Sequence, residues 1–228
     1  VSFEDWSVLA FTVATALGAT ILIFPFGVLA ALWLSRTRAA GAAFVETVLS
    51  LPLVLPPTAV GLVLLELLGR NGWLGRAFDA FGVDVVFTWK AVVLAGAVMS
   101  FPLLVRSART SFSEVDARLV GVARTLGDGP LRVFFRVQLP LAWRGVVAGT
   151  LLSFSRALGE FGATILVAGN IPGRTQTLSL AIFHRVQMGQ DSAAFRLVGA
   201  TTVLAFLAVG ASEIATRRRP PRAQAIHG

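Results

Sequence analysis

The run WSVLAFTVATALGATILIFPFGVLAALWL, Trp6 to Leu34, follows the acidic pair Glu4 and Asp5 and stops short of Arg36. A bilayer core about 30 Å thick needs roughly 20 apolar residues in helical form, so this run crosses it once with residues to spare. It is too long for the core of a secretory signal and carries no small-residue cleavage site, so it reads as a retained span. Four further runs, 45–68, 89–105, 144–168 and 197–215, are each long enough to cross, the third only just. The predicted fold class is all-α: a polytopic transmembrane bundle of about five spans (6–34 and these four). The whole chain, 1–228, is one domain with a long loop over 106–143 and a short basic tail over 217–228.

The composition supports a membrane class. Of 228 residues, 55% are apolar and only 14% charged, and the mean hydropathy is +0.76; soluble domains carry about a quarter charged residues. The net charge of +8 does not mark a nucleic-acid binder, because the arginines fall at the ends of apolar runs rather than along one soluble face. Cysteine is absent, which removes disulfides, thiolate nucleophiles and cysteine metal sites. No metal site and no catalytic residue is expected.

Arginine placement gives the sidedness. Arg36 and Arg38, the seven arginines from Arg106 to Arg144, and Arg217, Arg218, Arg219 and Arg222 make thirteen of the twenty basic residues, all on one side of a five-span chain. The positive-inside rule makes that side cytoplasmic. The opposite side holds Arg70, Arg76, Lys90, Arg174, Arg185 and Arg196, offset by Glu4, Asp5, Asp79, Asp84 and Asp191. The N-terminus is therefore expected outside and the C-terminus in the cytoplasm, with Trp6, Trp73 and Trp89 at the level of an interfacial aromatic belt.

Three features depart from plain spanning helices. LSLPLVLPPTAVG, Leu49 to Gly61, holds Pro52, Pro56 and Pro57, which remove backbone donors at hydrocarbon depth. Such a break is either a packing kink or the lining of a water-filled route. In the 106–143 loop, Val115, Leu119, Val122 and Leu126 recur at helical spacing, Gly127 suits a left-handed helix end, and Pro130 suits the start of a second short helix that Pro140 closes. Such a pair of short helices serves as an interfacial anchor or as a docking surface. Finally, Arg156 and Glu160 lie four residues apart and thus on one face of the fourth span, among Gly145, Gly149, Gly159 and Gly162. An intramembrane pair of this kind fixes packing or marks a functional site.

The loop GVARTLGDGPLRVFFRVQLP, Gly121 to Pro140, resembles the cytoplasmic coupling motif of bacterial ABC importer permeases, in which E-A-A, three residues, Gly and nine residues precede Ile-x-Leu-Pro. Ala123, Gly127, Leu139 and Pro140 keep that spacing; Val137 replaces the Ile, and Gly121 and Val122 replace the Glu and the first Ala. LPLVLPPTAVG and SFSRALGEFGATILVAGNIPGRTQTLSLAIF, Ser153 to Phe183, look like the molybdate permease subgroup, with sulfate permeases sharing versions of both. The resemblance covers nearly the whole chain and implies a type I importer fold. It implies ATPase coupling through Ala123, Arg124, Thr125, Leu126, Gly127, Asp128, Val137, Leu139 and Pro140. It implies, too, a second copy of this chain, two copies of a cytoplasmic ATPase that carries the ATP and magnesium, and an extracytoplasmic binding protein for molybdate, with tungstate as a further cargo. This chain has no glycine-rich loop ending in Gly-Lys-Ser/Thr to hold ATP itself.

A tetrahedral oxyanion needs donors along its route, but a dense arginine cage would trap it. Candidate pathway residues are Pro56, Pro57 and Thr58, then Ser155, Glu160 and Thr164, continuing to Asn170 and Thr175, with the Arg156–Glu160 pair assigned to structure and gating. The competing classes lack their chemistry: His184 and His227 are far apart and no HExxH or GxSxG occurs for an intramembrane hydrolase. An ion channel leaves the long cytoplasmic loop without a role.

Overall fold

The opening run forms one helix, α1 (Phe3–Arg36), with Glu4 and Asp5 in its first turn and Arg36 in its last, where each charge complements the helix dipole. It continues through Pro25. Thr12, Thr15 and Thr20 are buried, and each hydroxyl donates to a carbonyl one turn back, which satisfies it without leaving the helix. The computed structural model describes residues 3–37 and 40–216, and among them it holds helices and no strand. Arg38 and the basic tail over 217–228 lie outside the described residues.

The second apolar run is not one kinked helix. It splits into α2 (Ala40–Val54) and α3 (Pro57–Leu68), whose axes turn by 109°. Pro56 sits before Pro57 in extended geometry (φ −53, ψ 133), as a residue preceding proline is pushed to do, and Pro57 then opens α3. The short α4 (Trp73–Asp79) leads to α5 (Trp89–Ser113), capped by Thr88, whose hydroxyl accepts from Lys90 N. This third span runs well beyond the expected end at residue 105, because Leu104, Val105, Ala108 and Phe112 keep burying one face at helical spacing. Arg106 and Arg109 consequently belong to α5 and not to the loop.

The loop itself holds α6 (Ala117–Thr125) and α7 (Pro130–Val133). Pro140 does not close the second short helix as expected. A π turn over Phe134–Gln138 joins α7 without interruption to α8 (Leu139–Leu158), and Leu139 N donates five residues back to Phe134 O. The widened turn lets the chain carry Pro140 near the start of α8, where its missing N–H and its ring are tolerated. After α8 come α9 (Gly162–Val167), α10 (Leu178–Gln187) and α11 (Asp191–Thr216).

By length and apolarity α1, α5 and α11 qualify as spans, and the bent α2–α3 pair is a fourth if it counts as one crossing. Helix α8 covers most of the expected run 144–168 but carries Arg144 and Arg156 and ends at Leu158, so that run is broken rather than continuous. Helix α5 is the centre of the bundle, with 61% of its most apolar window buried, packed along both α1 and α8; α11 lies at the edge, 17% buried. Close approach of α8 to α5 depends on glycine: a side chain at Gly145 would overlap Ser111, and one at Gly149 would lie 2.9 Å from Ser107 Cβ. Ser107 Oγ instead donates to Gly145 O at 2.9 Å, and Ser153 Oγ to Ser100 O at 3.1 Å. Ile21, Phe26, Leu29, Phe44 and Phe206 stay exposed on the single chain, as side chains solvated by lipid do. Trp6, Trp73 and Trp89 are exposed too, in keeping with interfacial anchors.

Candidate functional site

Two places collect the residues singled out from sequence. The first is the loop between α5 and α8. Asp116 caps α6 by accepting from Arg118 N at 2.8 Å. At the other end Gly127 adopts φ +89, its N–H donates to Arg124 O, and Asp128 N donates to Ala123 O, both at 3.0 Å. These are the paired bonds that satisfy the last carbonyls of a helix, and they need a residue without a Cβ at the left-handed position. Ala123 is buried under this turn, whereas Arg124, Thr125, Leu126 and Gly127 are exposed.

Asp128 faces Arg132 at 3.4 Å and Arg136 at 3.9 Å, which holds the start of α7 against the π turn. Leu119, Val122, Leu126, Leu131 and Phe135 project outward, 49 to 81% exposed. An exposed apolar, turn-stabilised knob of this kind has the shape and polarity that either of the two expected roles, interfacial anchor or docking surface, requires. Gly121, standing where the family pattern has its Glu, is exposed with open space around it, so the replacement leaves no internal gap. Val137 and Leu139 are half-buried and Pro140 is exposed. A residue missed from sequence is Gln138: it is buried, and its Oε1 accepts from the Arg36 guanidinium, tying the base of the loop to the end of α1. Nothing in the spacing of either residue foretold that pair.

The second place is where two broken helices meet. A Cβ on Gly162 would lie 2.7 Å from Pro57 Cβ, and one on Gly61 would lie 2.8 Å from both Cα and O of Ala163. The α2–α3 corner and the α8–α9 break therefore interlock backbone to backbone. Glu160 sits in that break, not on a continuous helix as expected: α8 ends at Leu158, with Gly159 as its cap. Even so, Glu160 Oε2 lies 2.7 Å from Arg156 Nη1, and Oε1 accepts from Ala163 N at 2.8 Å, so the carboxylate serves both the end of α8 and the start of α9. Glu160 is 3% exposed and the Arg156 side chain 28%. Oε2 has the ion pair but no well-aligned hydrogen bond; Thr164 Oγ1 and Thr177 Oγ1, also buried, have none. The three border a cavity of about 10 Å³ that also touches Thr15 of α1.

The remaining pathway candidates divide. Pro56, Pro57 and Thr58 are exposed beside the break. Ser155 is half-buried and donates to Leu151 O. Thr175 is fully buried, and its hydroxyl is spent inside the 168–177 loop, accepting from Ile171 N and donating to Gly169 O. Asn170 accepts from Gln176 Nε2 in the same loop. Thr175 thus spends its hydroxyl on shaping that loop, whereas Asn170 engages only its side-chain oxygen there. No group of three or more His, Cys, Asp or Glu able to hold a metal occurs among the described residues. Asp5, placed by sequence only as a flanking charge, is 1% exposed and pairs with Arg185 at 2.5 Å, fastening α10 to the start of α1.

Residues 23–219 match the family of binding-protein-dependent transport system inner membrane components. The chain is 43% identical over 221 residues to the molybdenum transport system permease protein ModB of Escherichia coli (strain K12), covering 96% of each. It is 43% identical over 201 residues to the putative molybdenum transport system permease protein YvgM of Bacillus subtilis (strain 168), covering 88% of each. In fold it is similar to a chain of the bacterial alginate ABC transporter crystallised with an alginate pentasaccharide-bound periplasmic protein: TM-score 0.71, 16% identity, 95% of this chain and 80% of that one.

Proposed function

The chain belongs to the family of binding-protein-dependent transport system inner membrane components, and on that premise we propose that it is the membrane-spanning subunit of an ATP-driven importer of molybdate. The observation that carries this reading is the likeness to molybdenum permeases along nearly the full length of both chains. In this reading two copies of the chain form the pathway, two copies of a separate ATPase bind ATP and magnesium, and an extracytoplasmic protein delivers the anion. The N-terminus faces outward and the C-terminus the cytoplasm.

A motor suits the cargo. Moving a dianion inward against an inside-negative potential of 100 mV costs about 4.6 kcal/mol before any concentration gradient. The exposed knob around Gly127 seats in the ATPase. Asp128, paired with Arg132 and Arg136, braces its turn against α7, and the π turn joins α7 to α8 without interruption, so its motion passes into α8. At the far end of α8 stands the Arg156–Glu160 node, beside the proline corner. The node is paired within itself, so it ties the end of α8 to the start of α9 and presents no naked carboxylate to an anion.

The test is uptake by proteoliposomes holding this chain with its candidate ATPase and a molybdate-binding protein. ATP-dependent molybdate accumulation, competed by tungstate and weakly by sulfate, is expected. Uptake indifferent to ATP, or sulfate preferred over molybdate, overturns the reading. A tag at the C-terminus that proves accessible from outside overturns the orientation.

A further inference from the structure

Outside both places lies a third cluster, in the groove between α2 and α5. A cavity of about 430 Å³ is lined by Glu46, Arg106, Arg109, Thr110 and Ser113. From this chemistry we propose that the groove binds the phosphodiester headgroup of an anionic phospholipid. The inference rests on the membrane placement of the chain and is independent of its cargo.

Depth is the first argument. Trp89 begins α5, and at 1.5 Å per residue Arg106 and Arg109 lie roughly 25 to 30 Å further along the helix axis. That is about the thickness of the hydrocarbon core, so with Trp89 at one interface the two arginines stand at the headgroups of the other. Across α2 from the groove, Phe44, Val48, Leu51 and Val54 form an exposed apolar stripe at spacings of three and four. Phe44 is within a turn of Glu46, so the apolar face of α2 reaches the level of the cavity.

Charge is the second argument. Glu46 is paired with Arg109, while Arg106 is exposed and makes no ion pair among the described residues. The cavity therefore carries one more guanidinium than carboxylate, which matches the single negative charge of a phosphodiester. Arg106, Thr110 and Ser113 lie on one face of α5 at spacings of four and three, and all are exposed. The two hydroxyls now donate to the carbonyls of Arg106 and Thr110, and a hydroxyl rotor can turn toward a phosphate oxygen. A basic pocket between membrane helices at the cytoplasmic leaflet is a physically sound seat for such a headgroup.

The experiment is native mass spectrometry of the purified, delipidated protein in mild detergent, with phosphatidylglycerol or phosphatidylcholine added back. Phosphatidylglycerol is expected to be retained in preference. Arg106→Gln should weaken that retention roughly fivefold, as loss of one basic side chain near an anionic headgroup does, and Arg106→Lys should restore most of it. Arg106→Gln leaves the Glu46–Arg109 pair intact, and a wild-type comparison of the two lipids stands even if the variant misfolds. Equal retention of the two lipids, or retention unchanged in Arg106→Gln, overturns the proposal. Displacement of the lipid by millimolar inorganic phosphate overturns it as well, since the groove would then be a site for soluble anions.

Discussion

Replacing Glu160 with Gln isolates the ion pair at the α8–α9 break. Glutamine keeps an oxygen for the Ala163 N–H but sets an NH2 group against the Arg156 guanidinium, donor against donor, where the carboxylate now lies at 2.7 Å. Breaking a fully buried pair costs about 3 to 5 kcal/mol and an exposed one about 0 to 1. Glu160 is buried but the Arg156 side chain is 28% exposed, so an intermediate loss of about 2 kcal/mol is expected. For a chain of this size that lowers the melting temperature by about 4 to 8 °C. The assay is thermal unfolding of the purified variant, completed as a cycle with Arg156→Gln and the double variant. The double variant should lose less than the sum of the singles, by about 1 to 2 kcal/mol. Strict additivity would refute the pairing argument. Unchanged stability with altered competition among molybdate, tungstate and sulfate would place Glu160 on the selectivity route and refute its assignment to the break.

The same structure sets further outcomes. Gly61→Ala puts a methyl 2.8 Å from the Ala163 backbone, which cannot rotate away; a loss of about 1 to 3 kcal/mol and reduced uptake per inserted molecule should be measured. Thr12→Val removes an oxygen that accepts from Leu178 N and should cost about 1 to 3 kcal/mol in thermal stability. Thr177→Val removes a buried hydroxyl that has no partner and should be neutral or stabilising in the same assay. Gly127→Val forces a β-branched residue into φ +89, a conformation it strongly disfavours; the protein should insert normally yet lose most of its retention of the ATPase in pull-down.

The fold class was legible because lipid imposes length and apolarity directly, and α1 shows this most plainly. Gly127 was legible for a different reason: the left-handed turn and the restart at Pro130 are written in residue types with few other uses. What escaped was whatever depended on a partner distant in sequence. The run 144–168 looked continuous because Gly159 and Glu160 are individually tolerable inside a helix; the contacts that accompany the break, Gly162 on Pro57 and Glu160 on Ala163 N, show only in the fold. Pro140 looked like a stop because the π turn that accommodates it has no residue signature. Asp5 and Arg185 lie 180 residues apart, and Arg36 and Gln138 lie 102 apart; no local period joins them.

Small residues and prolines divide the work at the two breaks. Gly145 and Gly149 bring α8 onto α5 so closely that Ser107 and Ser153 bond across the seam, which makes those two helices one body. Against that body α3 and α9 meet through Gly61 and Gly162, with almost no side chain between their backbones. Contacts of this type are short-ranged: a shift of an ångström forfeits much of their dispersion energy, whereas the Arg156–Glu160 attraction falls off only slowly with distance. A displacement carried along α8 therefore weakens the glycine–proline contact before it breaks the ion pair. In the proposed importer the joint would open first at the proline corner while the charges stay paired, the order that keeps a bare carboxylate from facing an anionic cargo.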